Sequence, residues 1–280
     1  MPNVEDMNEF FVDLNDTRLC VETFGATGDP AILLMAGASA SMLWWDADLC
    51  RRLAGHGRLV IRYDQRDTGR STTYPRGEPG YSMTDLATDA LGILDALGAR
   101  RAHVVGASMA GGAALILGVD HPDRVASLTF QGTTTGDPEL PPMEGTPHDL
   151  PANLDDRDAL VEYVLESVRS CDGVAPGYDE RAFRALIEAD ADRSTDFAAS
   201  LINPFRMDVT GPRNGGFADL TMPVLVVHGE RDPVFPLPHG EAIAAAAPDA
   251  ELLELPDAGH DLLRSSWDVY IPALIRHTSR

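Results

Sequence analysis

Lysine is absent from this 280-residue sequence: all 22 of its basic residues are arginine. That removes Schiff-base catalysis and the phosphate-gripping lysine of P-loop enzymes from the possible chemistries. Cysteine is scarce. Cys20, Cys50 and Cys171 form no CxxC pair and no metal-like spacing, so they read as small buried hydrophobes of a reducing compartment. No uninterrupted apolar run approaches the length of a bilayer span, and there is no internal repeat or low-complexity tract. The opening residues, MPNVEDMNEFFVDL, are acidic and lack a basic segment leading into an apolar one. The expectation is therefore no signal peptide and a cytoplasmic location. Positive charge is short overall, with 22 basic against 44 acidic residues and a net charge of −22. Such a surface repels nucleic acid and anionic membranes, serves solubility, and favours neutral or cationic substrates over polyanions.

What is present is the composition of a globular chain, 44% hydrophobic and 24% charged, long enough for one large α/β domain or two small ones. FFVDLNDTRLCVETFG alternates around Asn15-Asp16 and predicts an antiparallel hairpin. AILLMAG (31–37), LVIRYD (59–64), AHVVGAS (102–108), SLTFQG (127–132) and PVLVVHG (223–229) are short apolar runs suited to strands buried on both faces of a parallel sheet. Between them, MTDLATDALGILDAL carries apolar residues at three-and-four spacing with Gly98 as its C-cap, and MAGGAALILGVDH predicts a second helix. The alternation predicts an α/β fold with a doubly wound, mostly parallel sheet. Between 132 and 222 the pattern changes. Residues 137–151 are proline-rich, and DDRDALVEYVLESVRS and DERAFRALIEADA follow as amphipathic helices without strands. The expected organisation is a core of 1–132 and 222–280 with a helical cap, or lid, at 133–221.

HVVGASMAGGAAL (103–115) has the order strand, sharp turn, helix that exposes a nucleophilic serine, Ser108, at the turn's apex. Ala110 stands where the G-x-S-x-G pattern has its last glycine, and an unaccommodated methyl in so tight a corner costs about 1–3 kcal/mol. The turn must open slightly there, with Gly111 and Gly112 available to compensate. Downstream, Glu230-Arg231-Asp232-Pro233 places a carboxylate, Asp232, after PVLVVHG, and LLELPDAGHDLL places His260 in a loop after another strand-like run. A serine hydroxyl needs an imidazole to take its proton, and the imidazole needs an anion on its other nitrogen. Ser108, Asp232 and His260 supply these parts in chain order, each beyond a predicted strand's C-terminal end. Backbone donors for a developing oxyanion are expected at Met109 and, in the loop after AILLMAG, at Ala38. Trp44 and Trp45 are candidates for a pocket wall or for core packing. His228, before Gly229, reads as structural, and His121 as part of a helix C-terminal cap. His56, His103, His148, His239 and His277 have no supporting context, so neither a metal nor another cofactor is expected.

The motifs at 31–38, 59–71, 103–112, 223–233 and 255–262 resemble the α/β-hydrolase superfamily along nearly the whole chain, with Ala36 where many members carry the histidine of an HG pair. Within it, VIRYDQRDTGRSTT, RAHVVGASMAG and the Asp-Pro loop are similar to the aclacinomycin-type methylesterases that tailor anthracyclines and related polyketides. That resemblance implies a serine carboxylic-ester hydrolase under a helical lid, acting without cofactor on a small-molecule, neutral, medium-sized ester. Lactone hydrolysis, C–C bond hydrolysis and perhydrolysis run through the same residues and stay open. So do a non-hydrolytic polyketide-tailoring enzyme and a hydrolase-derived binding protein. Asp64, Arg66, Asp67 and Arg70 are expected to hold their loop as an ion-pair network.

Overall fold

A computed structural model describes residues 9–14, 16–143 and 149–280; Asn15 of the expected hairpin turn and His148 lie outside the described residues. Strands β1 (Phe10–Asp13) and β2 (Arg18–Phe24) form the N-terminal hairpin, and β3 (Ala31–Met35) follows. Next come α1 (Ala47–Ala54), β4 (Leu59–Tyr63), α2 (Met83–Ala96), β5 (Ala102–Ala107), α3 (Ala110–Asp120) and β6 (Val125–Gln131). Three helices then run without a strand between them, α4 (Arg157–Asp172), α5 (Glu180–Arg193) and α6 (Phe197–Ile202). The chain returns to the sheet with β7 (Val224–Gly229), α7 (Pro238–Ala246), β8 (Ala250–Leu255) and α8 (Trp267–His277).

The strands form one eight-stranded sheet in the order β1-β2-β4-β3-β5-β6-β7-β8. Only the β1–β2 and β2–β4 pairings are antiparallel; all others are parallel. Strand alternation sends Leu33, Val104, Phe130 and Val226 to one face, under α2, α3 and α7. It sends Leu34, Val105, Leu225 and Val227 to the other, under α1 and α8. Both faces are dry, which is why these strands read as continuous apolar runs. Gly98, at φ +69, follows Leu97 at the end of α2 and provides the left-handed stop expected there. No helix among the described residues is long and apolar enough to cross a membrane.

The charged residues of the loop after β4 hold it as an ion-pair network whose partners lie across the fold. Arg66 bonds Asp89 of α2 (2.7 Å) and Asp16, and Arg70 bonds Glu9. Asp67 accepts from Tyr74 N–H and from Asn203 beyond α6. Asp64 is held by Arg193 of α5, both carboxylate oxygens lying 2.8 Å from Nη1. Burial disfavours its charged form and its pKa is raised despite that guanidinium. Buried ions need such compensation, and here it comes from elements far apart in sequence.

Candidate active site

The sheet's parallel strands end on one side, and Ser108, Asp232 and His260 all lie beyond those ends. Ser108 sits between β5 and α3 with φ +49, a left-handed conformation that a residue with a Cβ adopts only under restraint. The restraint is visible. Ser108 N–H donates to Gln131 O at 2.8 Å, and Ser108 O accepts from Gly111 N–H at 2.9 Å. Glycines let the elements close around it. A Cβ on Gly106 would lie 2.7 Å from Ala110 O and 2.8 Å from Ala114 Cβ, so β5 and α3 touch backbone to backbone. Ala110 is fully buried in this corner. A Cβ on Gly111 would collide with Thr133, and one on Gly112 would crowd Met83.

Asp232 follows β7 and is buried. Its Oδ1 accepts from the N–H groups of Val234 (2.8 Å) and Phe235 (3.0 Å), leaving Oδ2 for His260 Nδ1 at 2.8 Å. Burial opposes the charged imidazolium, but the hydrogen bond and the charge of Asp232 outweigh it, and the His260 pKa lies above the ordinary histidine value. A second histidine, His228, approaches the same carboxylate, with Nε2 at 3.7 Å from Oδ2. That Nε2 also lies 2.6 Å from Phe235 O. Burial lowers the His228 pKa, so His228 stays neutral and braces the Asp232 loop.

Ser108 and His260 line one cavity of about 780 Å³, and Ala38, Trp44 and Trp45 line it too. Met109 is not among the lining residues; it precedes α3 and its side chain packs against the core. The backbone N–H groups of Ala38 and Met109 have no acceptor among the described residues. Trp45 is both wall and core: it is buried with Leu34 and Leu49. Trp44 donates from Nε1 to Asp190 of α5 at 2.9 Å and packs against Phe183 of the same helix. Asp190 also receives Ser41 N–H, and Asp64 receives Met42 N–H, so the loop carrying Ala38 is tied to α5 and to the β4 loop.

At the opposite wall, α4 ends at Asp172, whose carboxylate accepts Asp261 N–H at 3.3 Å. Burial pushes the Asp172 carboxyl up, with the Asp261 charge adding to it. Cys171 lines the cavity, but burial pushes its thiol up to about 12, which leaves it unreactive. The other histidines do other work. His103 bonds Ser127, His277 bonds Leu128 O, and His239 lies between Thr134 and Pro141 O. His121 ends α3, and His56 is exposed. Asp190, Asp172 and Gln131 are not singled out by the sequence pattern. Asp190 and Asp172 look like ordinary helix-surface acids there, and Gln131 an ordinary strand end.

The family profile of the alpha/beta hydrolase fold matches residues 30–264. Rhodomycin D methylesterase DauP of Streptomyces sp. (strain C5) is 31% identical over 94% of this chain and 96% of its own length. Rhodomycin D methylesterase DnrP of Streptomyces peucetius is 29% identical over the same shares. Among solved structures, the enol-lactonase from Burkholderia xenovorans LB400 superposes with a TM-score of 0.76 at 23% identity, covering 96% of this chain and all of that one. With the serine turn, the strand order and these likenesses in hand, this chain belongs to the α/β-hydrolase family.

Proposed function

We propose that this hydrolase is a serine carboxylic-ester hydrolase with Ser108 as nucleophile, His260 as general base and Asp232 as its orienting anion. The observation that carries the reading is the Asp232–His260 hydrogen bond of 2.8 Å at the edge of the cavity that Ser108 also lines. With Nδ1–H donated to Asp232, the imidazole presents Nε2 as the basic nitrogen that takes the Ser108 proton. Ser108 Oγ attacks the ester carbonyl, and the amides of Ala38 and Met109 receive the oxyanion, each worth about 3 kcal/mol of barrier. His260 returns the proton to the leaving alcohol, and water then cleaves the acyl-enzyme by the same relay.

The substrate we propose is a neutral, medium-sized ester, in the first instance the methyl ester of a polycyclic aromatic polyketide. Support comes from the cavity, whose size suits such a ligand and whose wall includes Trp44, Trp45, Tyr163, Phe183 and Trp267. The names of the Streptomyces relatives agree. In this reading, residues 133–221 are the cap and 1–132 with 222–280 the catalytic core. A panel of methyl esters tests it by methanol release. Polycyclic aromatic esters should turn over with the highest kcat/KM; turnover confined to short aliphatic or phosphorylated esters contradicts the substrate assignment.

Positioning of His260 is also open to test. A Cβ on Gly229 would collide with Gly259 O and Ala258 O, because the His260 loop crosses the end of β7 there. Gly229→Ala should displace that loop and lower kcat about 100-fold, with a cooperative melt retained. An unchanged kcat would show that His260 placement does not depend on this contact.

A further inference from the structure

Asp172, the last residue of α4, is wholly buried. A buried carboxyl is costly unless its oxygens are paired, and these oxygens face the loop that carries His260. Both lie 3.3 Å from Asp261 N–H. Burial and the Asp261 charge favour a protonated Asp172, and the two carboxyls share a side-chain hydrogen bond. A protonated carboxyl has one oxygen to accept the N–H and an O–H to donate to the neighbouring carboxylate. Packing brings the same segments together. A Cβ on Gly259 would collide with Cys171 O and Asp172 Oδ1, so the loop lies directly against the end of α4. Further along, Ser265 Oγ donates to Pro176 O at 2.8 Å, and Gly177 leaves room for the Ser265 side chain. On its other side the loop is held by the end of β7. Arg231 N–H donates to Ala258 O at 2.9 Å, and Gly229 lies against Gly259 O. The segment leading into His260 is thus clamped between the sheet and α4, and Asp172 supplies the polar contact on the α4 side.

We infer that Asp172 is a positioning residue for His260: by holding Asp261 N–H against the end of α4, it fixes the loop from which the imidazole meets Asp232 and faces the cavity. The role rests on the esterase reading for what His260 does there. Under that reading residues 133–221 cover the substrate; here one of their helices also orients the base. Misplacing a reacting group by about 1 Å costs about 100-fold in rate.

The test compares Asp172→Ala with Asp172→Asn, whose carboxamide keeps an oxygen for Asp261 N–H and an N–H for the Asp261 carboxylate. On an aromatic methyl ester, Asp172→Ala should lower kcat about 100-fold with KM little changed. Asp172→Asn should recover most of that loss. A kcat of Asp172→Ala near the parent value would overturn the inference, as would a loss confined to KM or an Asp172→Asn as slow as Asp172→Ala. Should the alanine variant fail to melt cooperatively, Asp172→Leu, similar in volume and without polar atoms, takes its place with the same expectations. A second readout needs no turnover. The low-field proton resonance of His260 Nδ1–H in its bond to Asp232 is recorded with the imidazole protonated and assigned by its absence from His260→Ala. It should be alike in the parent and Asp172→Asn, and shifted or broadened by exchange with water in Asp172→Ala. An unaltered resonance in Asp172→Ala would overturn the inference. If the parent turns over no ester and takes no fluorophosphonate, the esterase reading has failed, and this resonance still decides whether Asp172 positions His260.

Discussion

Ser108→Ala is expected to lower ester turnover by about 10⁴-fold or more, with the fold intact. The substitution removes only the serine hydroxyl, and no hydrogen bond among the described residues depends on it. The turn is held instead by backbone bonds to Gln131 and Gly111 and by the Gly106–Ala110 approach. Alanine at φ +49 bears the same strain as serine, so the melting temperature should move little. His260→Ala should produce a loss of similar size. The double variant should be little worse than either single one, because the two side chains act as one unit. Steady-state kinetics on an aromatic methyl ester check both statements. Turnover by Ser108→Ala near the parent value would exclude a serine nucleophile. A double variant far below the singles would mean that the two residues act independently.

Asp232→Asn should cost about 10⁴-fold in kcat and also move the acid limb of the pH profile. Asparagine keeps an oxygen for the Val234 and Phe235 amides, so the loop survives. It then turns an NH₂ toward His260 Nδ1, and the imidazole must accept there and carry its proton on Nε2, the tautomer that cannot act as base. The direction of the pH effect follows from the balance on His260. In the parent, Asp232 raises the histidine pKa against burial. Activity needs neutral His260, so it should fall with decreasing pH through a midpoint above the ordinary value of about 6.5. Without the carboxylate only burial remains as the main influence, which disfavours imidazolium. The residual activity of Asp232→Asn should therefore persist to lower pH, with its midpoint below that of the parent. Profiles of kcat/KM between pH 5 and 9 for both proteins settle this. Coincident midpoints, or a shift toward alkaline pH, would show that Asp232 does not set the charge balance of His260.

Much of this architecture is legible in the chain because its local and global signals agree. The strands from β3 to β7 are apolar on both sides since helices cover both faces of the sheet. α4 and α5 begin at Asp156 and Asp179, whose side chains cap them. α8 is not legible in the same way. Pro272 sits inside it and removes a backbone donor, while Trp267, Tyr270 and Leu274 pack it against the sheet. The serine turn stands out because strand, small residues and helix are contiguous, whereas the ties that shape the cavity are not. Asp190 meets Trp44 146 residues away, and Arg193 meets Asp64 129 residues away. No local pattern announces such pairs: the charges of the β4 loop stand out in the sequence, but their partners in α2, α5 and the N-terminal segment do not.

The central claim, an activated serine at position 108, is tested most directly by intact-protein mass spectrometry after brief exposure to a fluorophosphonate. The parent protein should gain a single adduct, and Ser108→Ala should gain none. An unmodified, well-folded parent, or an adduct that persists in Ser108→Ala, would contradict it.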